Sequence, residues 1–168
     1  MLLHHRPRRR RAATLVESAV VYSLTFFLCL ALLVGGLGVF RYQEVAQLAR
    51  EGARYASTHG GKYQADGQPQ ATGVPAVASS SDLLTYLKAE AVTLDPSQLQ
   101  VSVSWSGAGS VTPSNYPYYV DTDPNLVPPG QVVVRNNVTV TVSYQWLPEL
   151  YLVGPLTLTS TAQMPMSY

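Results

Sequence analysis

The sequence lacks most of the residues on which enzymes and disulfide-rich domains depend. Its 168 residues include one cysteine, Cys29, which excludes an internal disulfide framework and a cysteine-based zinc cluster. Only three histidines are present, and two of them lie within the first five residues. The sequence contains no P-loop, G-x-S-x-G, H-E-x-x-H or C-x-x-C motif. We therefore expect no enzymatic activity and no cofactor.

Charged residues are scarce and unevenly distributed. They make up 12% of the chain, against about 25% in an average soluble domain. Residues 1–11 carry five arginines and no acid, whereas residues 57–168 carry three basic and seven acidic residues, a net charge of −4. A nucleic-acid-binding domain needs a basic face on its folded part. The net negative charge of residues 57–168 therefore argues against nucleic acid as a partner.

One long uncharged run dominates the first quarter of the chain. Residues 19–40 are 22 consecutive residues without a charge, enough to cross a bilayer core of about 30 Å. The arginines before this run predict, by the positive-inside rule, a cytoplasmic N-terminus and an extracytoplasmic remainder. A cleaved secretory signal is the alternative, although the run is long and lacks a good small-x-small cleavage site.

Glu17 is the exception in this apolar region. It lies two residues before the uncharged run, among alanine, valine and leucine residues. A carboxylate inside a transmembrane segment costs roughly 2.5–3.5 kcal/mol, so such a residue usually has a partner. One interpretation places Glu17 at the headgroup level, paired with the preceding arginines. The other gives it a cation from a second molecule.

The helical pattern continues beyond the uncharged run. Small or apolar residues follow one another at intervals of three and four, which predicts a helical seam: Val39, Tyr42, Ala46, Ala49, Ala53 and Ala56. We predict one helix over residues 13–57, roughly 65–70 Å long. Its small residues allow another element to approach closely, either a neighbouring helix or the chain's own outer domain.

The rest of the chain predicts a small α+β domain. The regions are a basic leader at 1–12, the long helix at 13–57, a loop at 58–80 and an extracytoplasmic domain at 81–168. Leucines at helical spacing predict a short helix near 81–92. Alternation of apolar and polar residues predicts strands at 99–105, 138–146 and 156–164. Residues 131–135 begin the second strand or form a separate partner, giving an antiparallel sheet of three or four strands.

Residues 106–130 are predicted to be a loop. Its tyrosines, at positions 116, 118 and 119, either form an exposed contact patch or pack the loop onto the sheet. Asp121, Asp123 and Asn125 have the spacing that begins a calcium loop, but Leu126 replaces its glycine and no glutamate follows at the twelfth position. We interpret them as turn-forming residues, with calcium as the weaker hypothesis and no other metal site.

Two segments resemble a known family. Residues 8–21, RRRRAATLVESAVV, resemble the processing region of type IV pilins and pseudopilins. Residues 49–56, AREGARYA, are similar to the segment after the membrane helix in TadE/TadG-like proteins of tight-adherence (Flp) pilus systems. The resemblance covers residues 8–57, under a third of the chain. It implies a pilin-like fold and cleavage by a prepilin peptidase between Ala12 and Ala13.

The resemblance also assigns roles to single residues. Glu17 becomes the fifth mature residue, which in such proteins meets the N-terminal amine of a neighbouring subunit. Ala46, Ala49, Ala53 and Ala56 become helix-packing residues. Ala12 replaces the usual glycine and Ser18 the tyrosine of major Flp pilins, which favours a minor, TadE-like pseudopilin.

The resemblance also implies a cellular location and binding partners. We expect a single-pass protein of the bacterial inner membrane that is possibly incorporated into a pilus. Its expected partners are that membrane, the prepilin peptidase, other pilins and pilus assembly proteins. The alternative is an uncleaved single-span protein whose outer domain binds a ligand or protein through residues 106–130.

Overall fold

The chain forms two compact units, residues 1–39 and residues 40–168. The structure, a computed structural model, describes residues 8–73, 76, 79–107, 114–126, 130–148 and 154–168, with the backbone alone for residues 8–13 and Asp123. Helix α1 (Arg8–Thr58) contributes to both units. Residues 1–7 of the expected basic leader lie outside the described residues.

In the described residues of the first unit, α1 is apolar and almost entirely exposed. Leu15, for example, is 73% exposed and Phe27 is 63% exposed. By length and composition, this helix is able to cross a membrane. Large apolar side chains left uncovered along several helical turns require lipid or a protein partner around them.

The second unit has an α+β architecture, which confirms the predicted class. After α1 come two five-residue helices, α2 (Gly61–Ala65) and α3 (Gln68–Thr72), then α4 (Ser80–Glu90) and a 3₁₀ turn at Pro96–Gln98. The strands are β1 (Leu99–Trp105), β2 (Tyr118–Asp123), β3 (Gly130–Arg135), β4 (Asn137–Trp146) and β5 (Leu156–Pro165).

A three-stranded antiparallel sheet in the order β1-β4-β5 forms the main layer. Leu99 pairs with Tyr144 at one end of β1, and Trp105 pairs with Val138 at the other. Every second residue of β4 is buried, from Val138 to Trp146. This period of two places one apolar face on the core and one polar face outside, as the alternation in the sequence predicts.

The second half of α1 packs on the buried face of that sheet. A side chain added at Gly52 would lie 3.0 Å from Leu87 Cδ1 of α4 and 3.2 Å from Val140 Cγ1 of β4. The helix therefore approaches both elements closely. Val45, Leu48 and Leu83 complete this part of the core, and burial of one such side chain stabilises the fold by about 1.5–3 kcal/mol.

The structure differs from the prediction for residues 106–130. Residues 118–123 form β2, which pairs antiparallel with β3 in a separate two-stranded sheet. Residues 131–135 are thus a separate strand and not the start of β4. Prolines on both sides of 118–123 hide this strand in the sequence, although its aromatic and β-branched residues favour extended backbone. Residues 58–80, also predicted to be a loop, contain α2 and α3.

Asn136, between β3 and β4, joins several separate segments. Its side chain is 1% exposed. Its Nδ2 donates to the carbonyl oxygens of Ser114 (2.6 Å) and Tyr116 (3.0 Å), and its Oδ1 accepts from Ser106 Oγ (3.0 Å) and from Gly107 N (2.8 Å). The amide nitrogen uses both of its N–H donors, and the amide oxygen accepts two hydrogen bonds. This polar side chain can therefore be buried at low cost.

Residues 166–168 pack against the end of α1. The backbone N–H groups of Ser167 and Tyr168 both donate to the carbonyl oxygen of Ser57, at 2.9 and 3.1 Å. Met166 is fully buried. The last carbonyls of a helix have no partner within the helix, so these residues satisfy one of them.

We predict that Gly60 tolerates no side chain where residues 166–168 pack against the end of α1. A Cβ at position 60 would lie 2.5 Å from the Asn115 carbonyl oxygen and 2.6 Å from that of Tyr168. Because backbone atoms cannot move aside cheaply, Gly60→Ala is expected to lower the free energy of unfolding by about 2–3 kcal/mol. Gly154→Ala is the matched control, since nothing lies within 4 Å of the added carbon. Thermal unfolding in detergent compares them; equal melting temperatures would contradict the predicted close approach.

Candidate functional site

Glu17 carries the ionisable side chain that distinguishes the apolar part of α1. It is exposed on the helix surface. Backbone N–H groups in a helix interior are already bonded to carbonyls four residues earlier, and a carboxylate only accepts hydrogen bonds. The helix backbone around Glu17 therefore offers its carboxylate no free donor. Inside a membrane, a cation or donor from outside this helix segment is needed.

Three hydroxyl groups near Glu17, those of Ser18, Ser23 and Thr25, bond to their own helix. Ser18 Oγ donates to the Thr14 carbonyl at 2.8 Å, and Ser23 and Thr25 make the same bond to Ala19 and Val21 at 2.7 and 2.8 Å. Such bonds remove the cost of placing a hydroxyl in an apolar medium. Glu17 differs from its polar neighbours in this respect.

The expected cleavage site lies in helical backbone. Ala12 and Ala13 are both within α1, and their side chains are outside the described residues. The site is five residues before Glu17, between one and two helical turns. Nothing in its backbone tests whether a peptidase cuts there.

The predicted alanine seam divides into two parts. Ala49, Ala53 and Ala56 are fully buried within the second unit, and Ala46 is half-buried. Of the two partners left open for the seam, the chain's own domain therefore covers these three. Val39 and Tyr42 are exposed instead. Sequence reasoning assigned them to the seam because their spacing continues the alanine pattern.

The calcium hypothesis receives no support from the backbone. Asp121 and Asp123 lie in β2, and only Asn125 lies in a turn, so the turn interpretation is correct for Asn125 alone. A calcium loop folds its oxygens around one ion, whereas β2 is extended. Asp121 Oδ1 accepts a 2.8 Å bond from Thr122 N. Among the described residues, no group of three or more His, Cys, Asp or Glu is placed to hold a metal.

The three tyrosines of the 106–130 segment have different environments. A Cβ added at Gly61 would meet the Tyr116 ring, and one added at Gly107 would meet the Tyr119 ring. These two tyrosines therefore pack within the second unit, Tyr116 against α2 and Tyr119 against the residues that follow β1. Tyr118 is 53% exposed, near the exposed Val133 of β3. Of the three tyrosines, Tyr118 is therefore the one that agrees with the predicted contact patch.

A row of aromatic rings, which sequence reasoning missed, joins four parts of the second unit. Tyr86 of α4 stacks on Tyr55 of α1 with ring centroids 3.9 Å apart, and Tyr55 stacks on His59 at 4.1 Å. His59 meets Tyr63 at 4.6 Å, and Tyr63 meets Tyr168 at 6.0 Å. Each such pair contributes about 0.5–1.5 kcal/mol beyond area burial. Only the four-residue spacing of Tyr55, His59 and Tyr63 is visible in the sequence.

Three tyrosines of this row, Tyr55, Tyr86 and Tyr168, remain protonated at neutral pH. Burial is the main cause that raises the pKa of Tyr55 and of Tyr86, and the nearby Glu51 adds to the effect on Tyr86. The hydrogen bond that Tyr168 donates to Asp66, 2.9 Å long, raises the pKa of the Tyr168 phenol. The phenols of Tyr55, Tyr86 and Tyr168 therefore act as neutral packing groups and not as acids or bases.

The exposed surface of α1 in the second unit is charged along both edges. Glu44 and Glu51 line a groove of about 330 Å³ together with Glu90 of α4. Arg50 and Arg54 are exposed and four residues apart, so they share one face of the helix. The helix thus presents one acidic and one basic edge.

Comparisons with protein-family models, with curated proteins and with solved structures found no match. The resemblance of residues 8–57 to pilins therefore stays a prediction, as does the absence of enzymatic activity.

Proposed function

We propose that this chain is a structural and assembly component of a tight-adherence (Flp-type) pilus, a TadE-like minor pseudopilin that a prepilin peptidase processes. In this proposal the peptidase cuts between Ala12 and Ala13, and residues 14–40 hold the protein in the bacterial inner membrane with the second unit outside. Other pilins and assembly proteins are its partners.

The observation that carries the proposal is Glu17, a carboxylate exposed on an apolar helix segment in which the hydroxyls of Ser18, Ser23 and Thr25 bond to their own helix. An uncleaved anchor does not need this charge, and its insertion into the apolar part of a membrane costs roughly 2.5–3.5 kcal/mol. Cleavage after Ala12 would create an ammonium group at Ala13, close in depth to Glu17 of a second copy. A pairing of these charges offsets the cost for both groups.

The second unit agrees with a role in assembly. Its part of α1 buries Ala49, Ala53 and Ala56 within the unit and exposes Arg50 and Arg54 along one edge. With the acidic groove on the other edge, the same helix carries complementary charges on different surfaces. Such an arrangement supports head-to-tail contacts between copies, which generate filaments.

The N-terminus of the membrane-extracted protein tests the proposal. Terminal peptide mass spectrometry on protein from its native host is expected to find Ala13 as the first residue, because the peptidase removes residues 1–12. The Ala13→Glu variant, which places a charge directly after the cut, is expected to keep the leader.

Two other results would contradict the proposal. An intact Met1 would indicate an uncleaved anchor, and a first residue beyond Phe40 would indicate a secretory signal. The first of these favours the second candidate function, in which the outer domain binds a protein partner. Its specific support is the exposed pair Tyr118 and Val133 on the two-stranded sheet. Loss of partner capture in a Tyr118→Ser variant, with the chain still uncleaved, would establish it.

A further inference from the structure

Strand β5 forms one edge of the three-stranded sheet. It is 10 residues long and pairs with β4 without interruption, from Pro165 opposite Asn137 to Leu156 opposite Trp146. Among the described residues, no strand pairs with the other side of β5. That side is therefore open along the whole strand, and the proposed assembly contacts do not use it.

The hydrogen bonds between β4 and β5 determine which backbone groups of β5 point outward. Met166 N donates to the Asn136 carbonyl at 2.9 Å, and these two residues continue the register of β4 and β5 by one position. Hydrogen-bonded and non-hydrogen-bonded pairs alternate along an antiparallel ladder, so the even-numbered residues of β5 bond to β4. The odd-numbered residues direct their N–H and C=O groups to the open side: Thr157, Thr159, Thr161 and Gln163.

Two further observations support this alternation. Ser106 N donates to the Asn137 carbonyl at 2.9 Å, which assigns the odd-numbered residues of β4 to β1 and leaves the even-numbered ones for β5. Pro165 is an odd-numbered residue of β5, and prolines in strands occur where the missing N–H would face away from the ladder. The outward groups of β5 are thus assigned consistently from both neighbouring ladders.

The opposite edge of the same sheet is covered. Val103 N of β1 donates to Ser80 Oγ at 3.2 Å, and α4 contacts β1. Natural edge strands are usually short, charged or bulged, or are covered by another element, which prevents pairing with other chains. In contrast, β5 is long, regular and without a charged residue, and Pro165 protects only its end.

The core-facing side chains of β5 are also incompletely covered. On β4, the residues that face the core are fully buried from Val138 to Val142. Their cross-strand neighbours on β5 are only half-buried: Leu158, Ser160, Ala162 and Met164. An added strand with apolar residues on this face would remove these side chains from water and extend the core.

We propose that the open edge of β5 binds an extended strand from a different polypeptide, which becomes the fourth strand after β1, β4 and β5. The outward N–H and C=O groups of residues 157–163 bond to its backbone. The partner segment is uncharged, because β5 offers no charge to pair with, and it is apolar at every second residue, because those side chains cover the core face of β5. This interaction goes beyond the proposed function and does not depend on cleavage.

A second copy of this chain does not fit this edge. In an antiparallel pair of two β5 strands, a two-fold axis perpendicular to the sheet relates the copies. This axis reverses α1, which packs on one face of the sheet, so the α1 helices of the two copies would run in opposite directions. Copies that are anchored in one membrane through α1 have this helix in the same direction. This exclusion, and no other step, rests on the proposed membrane span.

Binding of a designed peptide to the full chain in maltoside detergent tests the open edge. The peptide alternates valine and threonine over about nine residues and carries a fluorophore on a polyethylene glycol linker. The control peptide has the same sequence with every backbone nitrogen methylated, so it keeps its side chains and loses its N–H donors. Fluorescence anisotropy is expected to show that the control binds at least roughly tenfold more weakly. Equal binding of the two peptides overturns the proposal.

Hydrogen exchange with residue-resolved mass spectrometry locates the bound peptide. The amide hydrogens of Thr159 and Thr161 are expected to exchange at least roughly tenfold more slowly in its presence, because they become part of a ladder. Val101, an odd-numbered residue of β1 whose N–H points away from β4, is the internal control. Protection at Val101 in place of Thr159 and Thr161 would overturn the assignment to β5.

Substitution at Thr161 tests the same edge from the protein side. Thr161→Pro removes an outward N–H without removing a bond to β4, so it is expected to weaken peptide binding at least roughly fivefold. Thr161→Val keeps the N–H and loses only the exposed bond to Thr141 Oγ1 (3.0 Å), so its binding is expected to stay unchanged. Equal binding of the two variants contradicts the proposal, and if Thr161→Pro does not fold, the methylated peptide decides.

A single cysteine at position 160 tests the other occupant. The chain with Cys29→Ala and Ser160→Cys is oxidised in membranes of the native host. We expect no disulfide-linked dimer, because a strand of a different polypeptide covers β5 or leaves it open. A linked dimer would assign the edge to a second copy of this chain and overturn the proposed partner.

Discussion

Replacing Asn136 by alanine is expected to lower the free energy of unfolding of the second unit by about 3–4 kcal/mol. The change removes one buried side chain that bonds to four groups in two different segments, residues 106–107 and residues 114–116. Two donors, at Ser106 and Gly107, and two carbonyl oxygens, at Ser114 and Tyr116, lose their partner together. Each such group costs about 1–3 kcal/mol if it stays buried, and water entering the site recovers part of that.

Unfolding in detergent micelles measures the effect, because both tryptophans of the chain lie in the second unit. The neighbouring Asn137 provides a matched control, since it is half-exposed at the start of β4. Asn137→Ala is expected to change the free energy of unfolding by less than about 1 kcal/mol. Equal losses in the two variants would mean that the Asn136 amide does not hold the segments together.

Replacing Glu17 by leucine is expected to abolish incorporation into a pilus while the protein still inserts into the membrane. The substitution removes a charge whose insertion costs roughly 2.5–3.5 kcal/mol, so membrane levels stay equal or rise. It also removes the proposed partner of the N-terminal amine of a neighbouring subunit. Opposite effects on insertion and assembly would distinguish this residue from one that only supports the helix.

Separation of membrane and sheared pilus fractions from the native host measures both effects. Ser18→Ala is the matched control, because the Ser18 hydroxyl only bonds to its own helix. Glu17→Gln keeps a hydrogen-bonding group without the charge and is expected to assemble poorly. Normal assembly of the Glu17→Leu variant would contradict the proposed pairing of Glu17 with a neighbouring subunit and would favour the uncleaved anchor.

The regular elements of this fold are largely predictable from the sequence. The alternation of apolar residues identifies β1, β4 and β5, because each strand has one face on the core and one face outside. The uncharged run and the alanine spacing identify α1. These elements are visible because their burial repeats with the period of their backbone.

The parts that the sequence hides depend on distant residues. β2 lies between prolines and is stabilised only by pairing with β3. Asn136 resembles a turn residue until the segments that it bonds are brought together. The partner of the alanine seam is equally hidden, since small residues allow close approach to a neighbouring subunit and to the chain's own sheet alike. Glu17 is conspicuous in the sequence, but the sequence does not identify its cation, which is either one of the preceding arginines or a group of a second molecule.

The packing of Met166 determines how late in synthesis the core of this protein can close. Met166 is fully buried and its N–H donates to the Asn136 carbonyl at 2.9 Å, so the core closes only after residue 166 has left the ribosome. Ala53 is 113 residues earlier in the chain. At synthesis rates of about 5–20 residues per second, that delay is roughly 6–23 s.

During this delay the apolar stripe of α1, including Val45 and Leu48, has no sheet to cover it. A chain that crosses a membrane as it is made would carry this uncovered stripe on the far side before its strands arrive. The long separation in sequence between this stripe and the strands that cover it therefore leaves apolar surface exposed until residue 166 has been made.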